Sequence, residues 1–159
     1  RARTEKKISK ARGYGRLVLS GAHFDGDALR VLCALLYWCE GVKIRKGRIF
    51  GFTNSDPKMI LFFIRWLADS YAVERGRLIL RVSINEGHAH RVKSVEHYWS
   101  KITGITLSQF TKTSLIKTVS KKQYANTSVH YGTLRLKVRN GTDLRRKILG
   151  SIEQLKIAN

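Results

Sequence analysis

From Ala28 to Cys39 the chain carries a single charged residue, Arg30, before it closes on Glu40 and Gly41. A dozen residues this apolar fall short of the ~18 to 20 needed to cross a bilayer. They read as a helix that is greasy on nearly every face and therefore buried, and the rest of the domain must be arranged around it. Cys33, Ala34 and Cys39 are small enough to let another backbone come close. Asp25 or Asp27 is placed to cap the start, and Gly41 to end the helix in the left-handed conformation. Glu40 stands in the last turn, where the helix dipole favours a cation by roughly 0.3 to 1 kcal/mol. Stability alone would not select an acid there, which marks Glu40 as a candidate metal-binding carboxylate.

The chain has 159 residues, 43% of them hydrophobic, enough for one domain with a real core; one Pro and 13 Gly give no sign of a long linker. Thirty-one Lys and Arg stand against 11 Asp and Glu, a formal charge of +20. Such a field points first to nucleic acid and second to an anionic membrane. The membrane is disfavoured, because no apolar run is long enough and no basic helix has a clean apolar face. A ribosome-associated or merely soluble basic protein stays open on charge alone. Cys33 and Cys39, six residues apart, do not stack on one helical face and read as core thiols. Nothing at the start resembles a secretory signal, so an intracellular, cytoplasmic location is expected, nucleoid-associated if the source is bacterial. The first residue is Arg rather than Met, which leaves a fragment and a processed form both open.

Residues 1–16 carry seven cations against Glu5, show no hydrophobic period and contain Gly13 and Gly15. Residues 1–24 are therefore expected to be a basic arm or linker, and 25–159 a single domain. Val42–Asn54, with Gly47 between VKIRK and RIFGFTN, reads as a short hairpin whose second strand is the better one. Ser55-Asp56-Pro57 starts a helix that continues to about Tyr71. Leu78, Leu80, Val82 and Ile84 alternate with Arg77, Ile79, Arg81 and Ser83, a strand with one core face. His90–Ile102 has helical spacing and stops at Gly104. Leu115–Val119 reads as a strand and Ser120–Val129 as a polar, basic loop. Tyr131–Arg139 is the best strand of the chain, and a last helix, capped by Thr142 or Asp143, runs to about Ile157 on the stripe Leu144, Ile148, Ile152, Leu155.

Between Lys112 and Lys147 there are ten Lys and Arg and one acid. A strand holds such charge in register: Arg135, Lys137 and Arg139 fall in one row about 6.6 to 6.8 Å apart, close to the phosphate spacing of a DNA strand. Solvation of an outer sheet face calls for polar residues, not for three like charges in line. The candidate nucleic-acid contacts are Lys43, Arg45, Lys46 and Arg48 of the hairpin, then Lys112, Lys117, Lys121, Lys122, Gln123, Asn126, Arg135, Lys137 and Arg139. Lys and Arg would meet phosphate or guanine, Gln and Asn adenine edges. Arg145, Arg146 and Lys147 read as a solvated helix face. Glu86, His88 and His90 resemble half a zinc site, but no second Cys/His pair completes it. No phosphate loop and no nucleophile triad is present.

Cys33–Gly41 resembles the LAGLIDADG motif of homing endonucleases, matching at Ala34, Leu36 and Gly41, with Glu40 at the penultimate acid position. The segments ALLYWCEG, FTNSDPKMILFFIRWL, HYWSKITGI, QFTKT and HYGTLRLKV extend the resemblance over roughly residues 28 to 156, to a bacterial, single-motif branch whose members often carry an N-terminal helix-turn-helix that is not expected here. Where the motif has glycine, this chain has Leu35. The resemblance implies an α+β fold in which an antiparallel sheet forms a saddle over DNA, with helices packed on one face. It also implies a homodimer, motif helices side by side, that supplies Glu40 twice to Mg²⁺ or Mn²⁺ at the scissile phosphates of a roughly palindromic duplex. Lys43, Lys117 and Lys137 are candidates for the basic residue at that site. Two functions of different class follow: a divalent-metal-dependent, site-specific DNA endonuclease, with Glu40 catalytic, and a non-cleaving DNA-binding transcriptional regulator. A lower third is an RNA-binding or maturase role, since nothing here separates duplex DNA from structured RNA.

Overall fold

The computed structural model describes residues 2–21, 25–42, 49–117 and 130–157. Five helices, α1 (Ala2–Leu19), α2 (Gly26–Glu40), α3 (Pro57–Tyr71), α4 (Val92–Thr103) and α5 (Thr142–Ile157), accompany four strands, β1 (Gly51–Asn54), β2 (Leu78–Asn85), β3 (Ser114–Ile116) and β4 (Thr133–Val138). The architecture is mixed α+β, as expected.

The strands form one sheet in the order β1-β4-β2-β3. The expected all-antiparallel sheet is corrected at one edge: β4 is antiparallel to both neighbours, while β3 runs parallel to β2. The parallel pairing arises because α4 carries the chain back over the sheet between β2 and β3, as a crossover requires.

Alternation places the strand side chains. Leu78, Leu80, Val82 and Ile84 of β2 are buried, as are Leu134, Leu136 and Val138 of β4 and Phe52 of β1. They join Cys33, Ala34 and Tyr37 of α2, Ile60, Phe63, Ile64, Trp66 and Leu67 of α3, Val95 and Trp99 of α4, and Leu144, Ile148 and Ile152 of α5 in one core. Aromatic rings form its centre: Phe52 stacks on Phe63 at 3.9 Å and Tyr37 on Phe50 at 4.9 Å. At the far end Tyr98 stacks on Tyr131, and Trp99 Nε1–H donates to the Tyr131 carbonyl, tying α4 to the start of β4. Gly132 follows with φ +63°, and a Cβ there would run into the Ser83 backbone.

Several local expectations hold. Asp25 caps α2 by accepting from the Ala28 N–H, and Asp56 caps α3, with Pro57 in its first turn. Gly104, at φ +66°, ends α4. Others are corrected. Residues 2–19 are helical despite Gly13 and Gly15, yet no residue of α1 is buried. The segment Glu86–Arg91 is 3₁₀, so α4 starts at Val92 rather than His90. The first strand of the expected hairpin shows only its root, where Gly41 bridges Phe52 and the Val42 N–H donates to the Gly51 carbonyl at 2.8 Å; residues 43–48 lie outside the described residues, as does the Ser120–Val129 loop.

The correction with most consequence concerns α2. It is not buried on every face. Cys33, Ala34 and Tyr37 are its buried residues, while Val31, Leu32, Leu35 and Trp38 are each about 40% exposed (42, 43, 39 and 39%). Cys33 is a core thiol and Cys39 an exposed one, both free. Nor does Gly41 take a left-handed conformation: it is extended, at φ −73° and ψ 154°. Glycine is needed there for closeness, because a Cβ would overlap the Tyr37 carbonyl and lie 2.7 Å from two carbons of its ring.

Candidate nucleic-acid interface

The antiparallel register builds the surface opposite the core. Arg81 of β2 stands directly across from Arg135 of β4, and Ile79 from Lys137. One step past the strand ends the Arg139 N–H donates to the Arg77 carbonyl at 2.8 Å, so Arg77 faces Arg139 in the same register. The row Arg135, Lys137, Arg139 expected from alternation is therefore joined by a second row, Arg77 and Arg81. These five cations occupy a strip about 13 Å long, the rise of four strand residues. No Asp or Glu occurs in any of the four strands.

Directly opposed like charges destabilise a sheet, since the Cβ atoms of such a pair lie about 4.5 to 5.5 Å apart. The side chains separate where they can. Arg135 Nε–H donates to Thr53 Oγ1 on β1 at 3.3 Å, which draws it away from Arg81. Arg77 turns its guanidinium to the chain end, donating to the carbonyls of Arg139 at 3.0 Å and Asn140 at 3.4 Å. Arg81 has no such exit. Its Nε is shielded from solvent and hydrogen-bonds to nothing among the described residues.

Arg77 and Arg81 were absent from the candidate contacts. The alternation around Leu78–Ile84 put both on the outer side of a strand, but nothing in the sequence said that this strand lies beside β4. Conversely, Lys112 and Lys117 are exposed along the β3 edge rather than in the central rows. Lys43, Arg45, Lys46, Arg48, Lys121, Lys122, Gln123 and Asn126 lie outside the described residues.

Glu40 is exposed at the end of α2 and forms no hydrogen bond or ion pair with another described residue. Its place in the chain relates it to the sheet. Val42, two residues on, pairs beside Gly51, which in turn stands across from Lys137. The end of α2 thus arrives at the β1 edge of the sheet. Among the described residues no three His, Cys, Asp or Glu side chains converge as a metal site. A single copy offers one carboxylate at this place. Mg²⁺ binds through one or two carboxylates together with phosphate oxygens and water, so Glu40 fits such an ion only with a second carboxylate or a phosphate supplied from outside the chain.

Tyr37, one turn before Gly41, packs under this junction. Its hydroxyl donates to the Val42 carbonyl at 3.3 Å. Burial raises its phenol above the ordinary range, opposed by the positive charge of Arg145 and by hydrogen bonds from the Gly51 backbone and Arg145. The ring remains a neutral hydrogen-bonding strut at physiological pH.

Two grooves run between α2 and α5. One, of about 310 Å³, is lined by Tyr37, Trp38, Arg145, Leu149, Ile152, Glu153 and Lys156. The other, of about 350 Å³, is lined by Arg30, Val31, Ala34, Tyr71, Ser151, Gln154 and Leu155. No family model matches the chain, and no curated protein or solved structure is significantly similar to it. No helix among the described residues is long and apolar enough to cross a membrane.

Proposed function

We propose that this chain is a DNA-binding protein that acts as a homodimer and cleaves duplex DNA with a divalent metal, Mg²⁺ or Mn²⁺. One observation carries the nucleic-acid reading: two pairs of arginines opposed across neighbouring strands on a sheet that contains no acid. A fold tolerates that arrangement at a cost to its own stability, and a polyanion turns the cost into binding energy. Phosphates between the rows would take both the Arg81–Arg135 and the Arg77–Arg139 pairs.

The homodimer rests on α2. Val31, Leu32, Leu35 and Trp38 form an exposed apolar ridge of helical spacing, flanked by the grooves along α5. A two-fold contact between two such ridges is self-complementary, each filling the other's grooves. Leu35, where the LAGLIDADG motif has glycine, then sits in the contact and sets a wider separation of the helices. The same contact brings two copies of Glu40 towards one axis at the edge of the sheet. A divalent ion held there would polarise a phosphate and supply an activated water.

The second reading, a regulator that binds without cutting, is favoured by the lack of any further ligand beside Glu40 among the described residues. The deciding experiment incubates a randomised duplex library with the protein and Mg²⁺ or Mn²⁺, beside a Glu40→Gln control and a binding selection. Metal-dependent cuts that vanish in the control establish the endonuclease. Selective binding without cuts leaves the regulator, and selective binding of structured RNA alone removes both.

A further inference from the structure

The eighteen-residue helix α1 lies outside the sheet's chemistry. It carries Arg3, Lys6, Lys7, Lys10, Arg12 and Arg16 against the single acid Glu5, and none of its residues is buried. Arg3, Lys6, Lys7 and Lys10 are spaced i, i+3, i+4, i+7, which places all four on one face over about 10.5 Å of helix axis. None of the four forms an ion pair with a described residue. Tyr14 and Leu17, 70% and 74% exposed, continue the same face towards the C-terminus.

Packing among the described residues does not account for this helix. Helices in proteins owe most of their stability to packing of an apolar face, and α1 packs none. Like charges at i, i+3 and i+4 repel, and Gly13 and Gly15 are poor helix formers. We infer that α1 is a second DNA-binding element, a helix whose Arg3–Lys10 face lies along the phosphates and is held helical by them. The inference rests on the DNA reading proposed above but not on the sheet as its site.

Charge complementarity favours duplex DNA over an anionic membrane. A membrane-surface helix needs a bulky apolar face opposite its cations. Opposite the Arg3–Lys10 face α1 has Glu5, Ile8, Arg12, Gly15, Arg16 and Leu19, so its two large apolar residues there, Ile8 and Leu19, are separated by charge, while Tyr14 and Leu17 fall on the cationic side. An α-helix, by contrast, fits the major groove, and a face of four cations spans two to three phosphates.

The test compares the full chain with two variants, Lys6→Gln/Lys7→Gln/Lys10→Gln in α1 and Arg81→Gln/Arg135→Gln in the sheet. Amide exchange over residues 6–19 is followed alone, with a 30-base-pair duplex, and with phosphatidylcholine–phosphatidylserine vesicles. DNA affinity is measured against salt for each protein. The expected result is slower exchange in α1 on adding duplex. The α1 variant should also lose two to three units of salt slope, at about 0.9 per phosphate contact. Its unliganded α1 should exchange more slowly than wild type, because the repulsion is gone. Because α1 buries nothing, the variant should melt with the wild type. Unchanged slope in the α1 variant, or protection by vesicles and not by duplex, overturns the inference. If the sheet variant keeps the wild-type slope while the α1 variant loses its share, the sheet proposal falls and α1 stands. Failure of the wild-type chain to bind duplex at all overturns both.

Discussion

Gly41 shows how one residue can be indispensable for a reason other than the expected one. A C-terminal glycine usually supplies a left-handed turn. This one is extended, and what it supplies is space, because the chain passes over the Tyr37 ring on its way from α2 to the sheet edge. Gly41→Ala should cost about 1 to 3 kcal/mol in urea unfolding, the range of an overpacked site, its neighbours here being backbone and a stacked ring. A merely conformational glycine at this extended φ would lose almost nothing. The cysteines separate in the same way by environment. Burial pushes the Cys33 thiol up to about 12 from an ordinary value near 9, whereas Cys39 is exposed. In the folded chain Cys33 keeps its proton where the unfolded chain would release it. Stability is therefore intact below pH 9 and falls above it, by up to about 1.4 kcal/mol per pH unit as long as Cys33 dominates. A thiol reagent at pH 8 should modify one cysteine, Cys39, and reach Cys33 only after unfolding. Equal labelling of both would contradict the packing of α2.

Among the elements, β2, β4 and α2 carry the functional proposals. Arg81 is the sharpest probe of the sheet, since it stands opposite Arg135 with its Nε unpaired. Arg81→Gln should leave the melting temperature unchanged or slightly higher, because a like-charge pair is relieved. It should also reduce the salt slope of DNA binding by about one unit. A structural arginine would lose stability instead, so the two measurements together separate the roles. On α2 the exposed ridge makes the opposite demand. Leu35→Glu should leave the monomer folded, the residue being 39% exposed, while shifting the species seen by analytical ultracentrifugation from dimer to monomer. A dimer unaffected by this change would place the contact elsewhere.

For the whole molecule, α2 lies between two surfaces of different character, an apolar ridge beside α5 and a basic sheet reached through Gly41 and Val42. Glu40 ends α2 two residues before Val42 pairs at the sheet edge, and a two-fold axis along the ridge would duplicate both the acid and the basic face. Loss of metal-dependent cutting in Glu40→Gln, with DNA affinity retained, is the expected outcome. It should be accompanied by a target of approximate two-fold symmetry.

The local code of this chain is plain in its sequence. Asp25 and Asp56 as caps, Pro57 in the first turn of α3, the alternation of β2 and β4 and the stripe of α5 all depend on neighbours a few residues away, and period and capping chemistry suffice to read them. The outer row Arg135, Lys137, Arg139 follows from the same alternation. Tertiary structure decided what depends on distant partners. That β3 lies parallel to β2, and that Arg77 and Arg81 stand opposite Arg139 and Arg135, are matters of strand order, to which period-2 patterning is blind. That α2 shows solvent an apolar ridge could not be read from an almost uniformly apolar segment, because such a segment carries no polar residue to mark its outer face. Burial follows from which helices happen to cover it, and in a single copy α3 and α5 cover only the side of Cys33, Ala34 and Tyr37.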